Sequence, residues 1–172
     1  RARSAAAEAL PVTARQLQKS NISPETFFEK NKVFDAFFEL LNDRVCNVRE
    51  AAALSIGELN TVLGTEWTTS TALPYIAQFT QDTSYLRRSA AMKAVKALAK
   101  DSGLTLSCLR LFQVGLQDKI CNVRIAALRG LAESYDDLRM GNTEEIVSTV
   151  NKLVNDEDSD VRNYAAAMVD RL

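Results

Sequence analysis

The sequence predicts an all-α protein, an α-α superhelix of about four and a half stacked helix pairs. Three observations carry that expectation. The composition favours helix, because only 6 Gly and 3 Pro occur in 172 residues, alongside many alanines. A charged motif recurs at a nearly constant interval. Every copy of it is flanked on both sides by apolar residues at helical spacing.

The motif is an Asp followed six residues later by an Arg: Asp43 and Arg49, Asp82 and Arg88, Asp118 and Arg124, Asp156 and Arg162. Successive arginines lie 39, 36 and 38 residues apart. Three residues after each Arg stands an alanine (Ala52, Ala91, Ala127, Ala165), and seven after stands a branched apolar residue (Ile56, Val95, Leu131, Val169). Offsets of three and seven fall on one helix face. The small residue lets a neighbouring helix come close, and the larger one fills the space a turn further on. Arg3, with Ala6 and Leu10 at the same offsets, opens a fifth copy 46 residues before Arg49, the extra length going to a loop around Gln18 to Pro24.

A second helix precedes each Asp. The stretches Phe27 to Leu41, Trp67 to Thr80, Leu104 to Leu116 and Thr143 to Val154 carry apolar stripes, with Phe28, Val33, Phe37, Phe38 and Leu41 forming the first. Ser23 before Pro24 reads as an N-cap with proline at the first helical position, and Gly64 and Gly103 read as helix stops. Two helices in every forty or so residues is the HEAT type of repeat. One pair cannot bury its own apolar face, so stacking must stabilise the array. The expected organisation is a lone second helix over 1–20, then repeats over 23–64, 65–103, 104–140 and 141–172. The pattern opens mid-helix, so the chain reads as a piece of a longer solenoid. Ala5, Ala6, Ala9 and Leu10 are expected at a raw, self-associating end.

Catalytic chemistry finds little footing. Without histidine, His-dependent triads, Cys–His dyads and His metal sites are excluded. Three cysteines cannot supply a four-thiolate zinc site, and no phosphate-cradling glycine loop is present. Asp156, Asp158 and Asp160 imitate the start of a calcium loop, but Val161 stands where it needs Gly and Ala167 where it needs Glu. No enzyme activity, cofactor or metal is expected. A net charge of −1 gives no pull towards nucleic acid or acidic membrane. Few cysteines and no leader-like or membrane-spanning run suit a cytoplasmic or nuclear compartment. The sequon Asn21-Ile22-Ser23 is short enough to arise by chance.

Finer features resemble the C-terminal repeats of the scaffold (A) subunit of protein phosphatase 2A, over nearly the whole chain. They are Asn47-Val48-Arg49-Glu50-Ala51-Ala52, Gly64-Thr65-Glu66-Trp67 with Leu73-Pro74, Tyr85-Leu86 with Arg88, Asn122-Val123-Arg124, the last repeat from Glu145 to Val161, and Arg1 with Arg3. Alanines after Arg3 and the insertion near Asn21 depart from that family. The resemblance implies that a phosphatase catalytic subunit is gripped by the turns inside the repeats, and that a regulatory B-type subunit sits on repeats outside this chain.

Candidate positions follow. The Asp and Arg of the motif (Asp43, Arg49, Asp82, Arg88, Asp118, Arg124, Asp156, Arg162) are read as a structural ladder, each Arg pairing with the Asp of a neighbouring turn. Val45, Cys46, Tyr85, Ile120 and Cys121 are apolar in turns that usually face solvent, so they are read as a partner-binding ridge, with packing beneath the next turn as the alternative. Arg1 joins them on the resemblance. Lys93, Lys96 and Lys100 form a basic stripe, read as a solvated face or as a seat for an acidic partner. Trp67 is read as an anchor between repeats. An adaptor for nuclear transport or the cytoskeleton is the rival function. The turns mix Arg44 and Lys119 with Asp158 and Asp160, which fits a tubulin-binding array poorly.

Overall fold

The structure, a computed structural model, describes residues 1–172. It contains ten α-helices and no strand. They are α1 (Ala2–Lys19), α2 (Pro24–Lys30), α3 (Val33–Glu39), α4 (Cys46–Trp67), α5 (Leu73–Thr80), α6 (Tyr85–Leu98), α7 (Thr105–Leu116), α8 (Cys121–Leu138), α9 (Glu144–Leu153) and α10 (Ser159–Val169). Helices α1, α4, α6, α8 and α10 pack side by side in one layer. Helices α2, α3, α5, α7 and α9 cover them, and each motif turn joins a helix of the covering layer to one of the first.

The register of the repeat explains this layering. Ala52, Ala91, Ala127 and Ala165, three residues after each motif Arg, are all fully buried. The next residue is buried in the interior repeats (Ala53, Met92, Leu128) but exposed at Ala166 in the last helix. In α1 the order reverses: Ala6 is exposed and Ala7 fully buried. One position therefore faces back towards the helix's own partner, and the other faces forward to the next repeat. Only the ends lack one neighbour. Leu10 is buried against this following repeat, so only Ala5, Ala6 and Ala9 of the expected raw end lie in the open.

Several local expectations are met and several are corrected. Ser23 caps α2, its hydroxyl accepting from the Thr26 N–H at 3.3 Å. Gly64 ends the first part of α4 at φ 89° and ψ 171°, a conformation that disfavours a side chain, and the chain turns a corner there. Gly103 is not the second stop: α6 ends at Leu98, and Gly103 lies in a 3-10 turn capped by Asp101, whose carboxylate accepts from the Gly103 N–H at 2.9 Å. The helix expected from Phe27 to Leu41 is broken, because Lys32 adopts a left-handed conformation (φ 54°) and splits it into α2 and α3. A π-helical turn over Thr68–Ala72 precedes Pro74, whose ring and missing N–H interrupt the regular ladder.

The core changes character along the stack. Phe28, Phe34, Phe37 and Phe38 gather under α4 and α5 in edge-on contacts, and Phe38 stacks on Tyr75 at 4.3 Å. Trp67, 3% exposed, reaches back to Phe34 at 5.2 Å and so anchors one repeat on the previous one. Beyond it the core is mainly aliphatic, with Leu104, Leu116, Leu128, Leu131 and Val150 all buried.

Candidate functional site

Each motif turn is built alike. The Asp carboxylate accepts from the N–H two residues on: Val45 (2.9 Å), Ser84 (2.7 Å), Ile120 (2.8 Å) and Asp158 (2.9 Å). This Asx-type turn replaces a side-chain N-cap at Val45, Ser84 and Ile120, none of which caps its helix. The Arg lies just over one helical turn inside the following helix. Helical side chains lean towards the N-terminus, so its guanidinium folds back over the turn. There Nη1 donates to main-chain carbonyls: Arg49 to Asp43 and Arg44, Arg88 to Asp82 and Thr83, Arg124 to Asp118, Arg162 to Asp156 and Glu157, all between 2.8 and 3.1 Å. The six-residue spacing is thus the reach of a clamp.

The far edge of the guanidinium ties repeats together. Arg3 meets Asp43 with Nε at 2.5 Å and Nη2 at 3.1 Å, on the surface. Arg88 meets Asp118 in the same two-bond manner at 2.6 and 3.0 Å, in a pair less than a tenth exposed. Arg124 reaches Asp156 through Nη2 alone at 2.7 Å, leaving its buried Nε without an acceptor. The expected rung between Arg49 and Asp82 is absent. Asp82 instead accepts from Arg87 at 2.7 Å, and Arg49 donates only within its own turn. Arg162 ends the series with its clamp alone. Arg3, which opens the fifth copy, and Asp43 form the first rung of the series.

These bonds set the acidities. Hydrogen bonds from Arg3 and from the Val45 N–H hold Asp43 below the usual carboxylate value. Burial by itself pushes Asp118 up, but the bonds from Arg88 and Ile120 N–H prevail and hold it low. Asp158 accepts from the Val161 N–H at 3.1 Å and its pKa falls, and the Asp158 carboxylate raises the neighbouring Cys121 thiol.

The ridge is apolar at one end only. Val45 (48%), Tyr85 (42%) and Cys46 face solvent. Ile120 and Cys121 are half-buried against the core, so for them local packing is the better account. Arg1 is exposed just before α1 and forms no ion pair. Leu86, 40% exposed beside Tyr85, extends the apolar patch and was missed. The signal was present: four residues after the Asp, the other turns carry Asn47, Asn122 and Asp160. The lysine stripe is largely neutralised, with Lys93 3.5 Å from Glu50 and Lys96 2.7 Å from Glu133. With Lys100, Lys96 lines a groove of about 830 Å³ across α4, α6 and α8 whose walls also hold Glu58, Asp101, Glu133 and Asp137. Its balance is acidic, which argues against a seat for an acidic partner. No helix is long and apolar enough to cross a membrane.

No protein-family model matches the chain, and no curated protein matches its sequence. Among solved structures, the crystal structure of Cex1p is similar, with a TM-score of 0.63 at 20% identity. The likeness covers 81% of this chain and 27% of that one, so this chain spans a minor part of its length. At that identity the likeness speaks for the fold alone. Together with the layered helix pairs, it makes this chain an all-α helical-repeat protein.

Proposed function

We propose that this chain is a non-catalytic scaffold segment that grips a serine/threonine phosphatase catalytic subunit of the 2A type through the turns of its helix pairs. The observation that carries the reading is the row of clamped turns with solvent-facing Val45, Cys46, Tyr85 and Leu86 on its first two members. Exposed apolar side chains on turns held rigid by their own hydrogen bonds are a surface prepared for a protein, at little ordering cost. The sequence resemblance supplies the class of partner. Substrate choice then follows from where the scaffold holds the enzyme, and a regulatory subunit of the B type would occupy repeats outside this chain.

The test is capture of the catalytic subunit from cell extract by the wild-type protein and by a Val45→Asp/Tyr85→Asp double variant. Both positions lie at a helix start, where an acidic residue is favoured, so the fold should survive while the patch becomes charged. Capture by the wild type and at least tenfold less by the variant is expected. Equal capture by both would move the contact off the ridge. Transport cargo or tubulin in place of a phosphatase would establish the rival adaptor function.

A further inference from the structure

The four motif turns differ at one position that decides how firmly neighbouring repeats are tied. Five residues after the Asp stand Val48, Val123 and Val161, each at most 3% exposed. In the Asp82 turn the same place is taken by Arg87. Arg87 cannot bury its charge there, so its guanidinium lies over the Phe79 ring at 5.6 Å and donates to Asp82 Oδ2 at 2.7 Å. In Asp43 and Asp118 that oxygen instead accepts from the Arg of the preceding repeat. With Asp82 occupied, Nε and Nη2 of Arg49 meet no carboxylate, and only Nη1 is engaged, with its own turn.

The same junction has an unusual contact on the other side of α4. A methyl group added at Gly57 would lie 2.6 Å from the Ala97 carbonyl oxygen, so α4 and α6 come close there. The exposed Lys93–Glu50 pair at 3.5 Å is a weak tie across this junction, and the firmer polar tie lies at the far end of α4, where Asn60 and Thr65 donate to Asp101 at 2.9 and 2.7 Å.

We propose that Arg87 keeps the turn edge of this junction unlatched, so that the Asp43 and Asp82 turns can part and close while Trp67 against Phe34, Tyr75 against Asp35 and Asp101 against Asn60 hold the rest of it. Asp82 is the latch. Held by Arg87, it leaves the two turns untied; passed to Arg49, it closes the rung as in the other repeats. This depends only on contacts within the chain and is independent of the phosphatase reading.

Double-mutant cycles on the unfolding equilibrium test it, for Arg49 with Asp82 and for Arg88 with Asp118, in the wild type and in Arg87→Val. Amide exchange of the 82–85 turn is followed in parallel. Arg88 and Asp118 should couple by roughly tenfold, whereas Arg49 and Asp82 should show no coupling beyond about twofold in the wild type. In Arg87→Val the second pair should gain a roughly tenfold coupling, and the turn should exchange several-fold more slowly. Wild-type coupling of Arg49 and Asp82 equal to that of Arg88 and Asp118 would overturn the proposal. So would an Arg87→Val protein with neither the coupling nor the slower exchange. Arg87→Met, which keeps the aliphatic stem over Phe79 and removes the fork, answers the same question should valine fail to fold.

Discussion

At the Asp118 turn, Arg88 reaches across from the preceding repeat and closes a two-bond pair hidden from solvent; at the Asp82 turn, Arg49 stays within its own repeat and Asp82 turns to Arg87. The contrast separates two jobs that the motif performs with one side chain. The clamp uses Nη1 and main-chain carbonyls, and it is present in all four turns. The tie uses the opposite edge of the guanidinium and a carboxylate one repeat away. Because the two jobs use different atoms, a sequence can discard the tie and keep the turn.

The largest effect expected from this contrast is on stability. Arg88→Ala strands a buried carboxylate as well as losing the clamp, and should cost about 3–5 kcal/mol by urea unfolding. Arg49→Ala loses only hydrogen bonds within its own turn and should cost about 1–2 kcal/mol. Equal losses would erase the distinction between the two turns. A middle-sized effect is expected at the α4–α6 contact. Gly57→Ala forces a methyl group into the Ala97 carbonyl and should cost about 1–3 kcal/mol, because backbone cannot step aside as a flexible side chain can. A neutral result would mean that the two helices part easily there.

The smallest effect is on acid sensitivity. Asp118 is held below its ordinary value of 3.8 in the folded chain, so its contribution is complete above that value and is lost as pH falls through the lower folded one. The drop in urea midpoint between pH 5 and pH 3 should therefore be shallower in Asp118→Asn than in the wild type. An unchanged drop would show that this pair does not report on acid unfolding.

Much of the fold could be read from the sequence because a period is a global signal. Ala52, Ala91, Ala127 and Ala165 stand at one offset, and each is fully buried. Local departures were harder. The break at Lys32 has no glycine or proline to mark it, and only Asn31 hints that α2 ends there. The half-burial of Ile120 follows from tertiary packing, while Val45 at the same offset stays open, so spacing could not separate them. The missing rung was visible in principle, as an arginine in a column of valines. Reading the motif as Asp and Arg alone passed over the residue between them that decides where the Asp points.

Ion pairs lie along two edges of this stack, and they are unlike. Along the groove side, Arg15–Glu58, Lys93–Glu50, Lys96–Glu133 and Arg171–Asp136 span 2.7 to 3.6 Å, each with at least one partner more than half exposed to water. Along the turn side, the pairs of Arg88 and Arg124 are buried. Dissolved salt weakens the first kind and barely touches the second. From the Asp82 turn to the Asp156 turn the molecule is therefore a beam with one soft edge and one hard edge. Bending that spreads the groove meets little resistance, bending that spreads the turns meets much, and ionic strength adjusts the compliance of the soft edge alone.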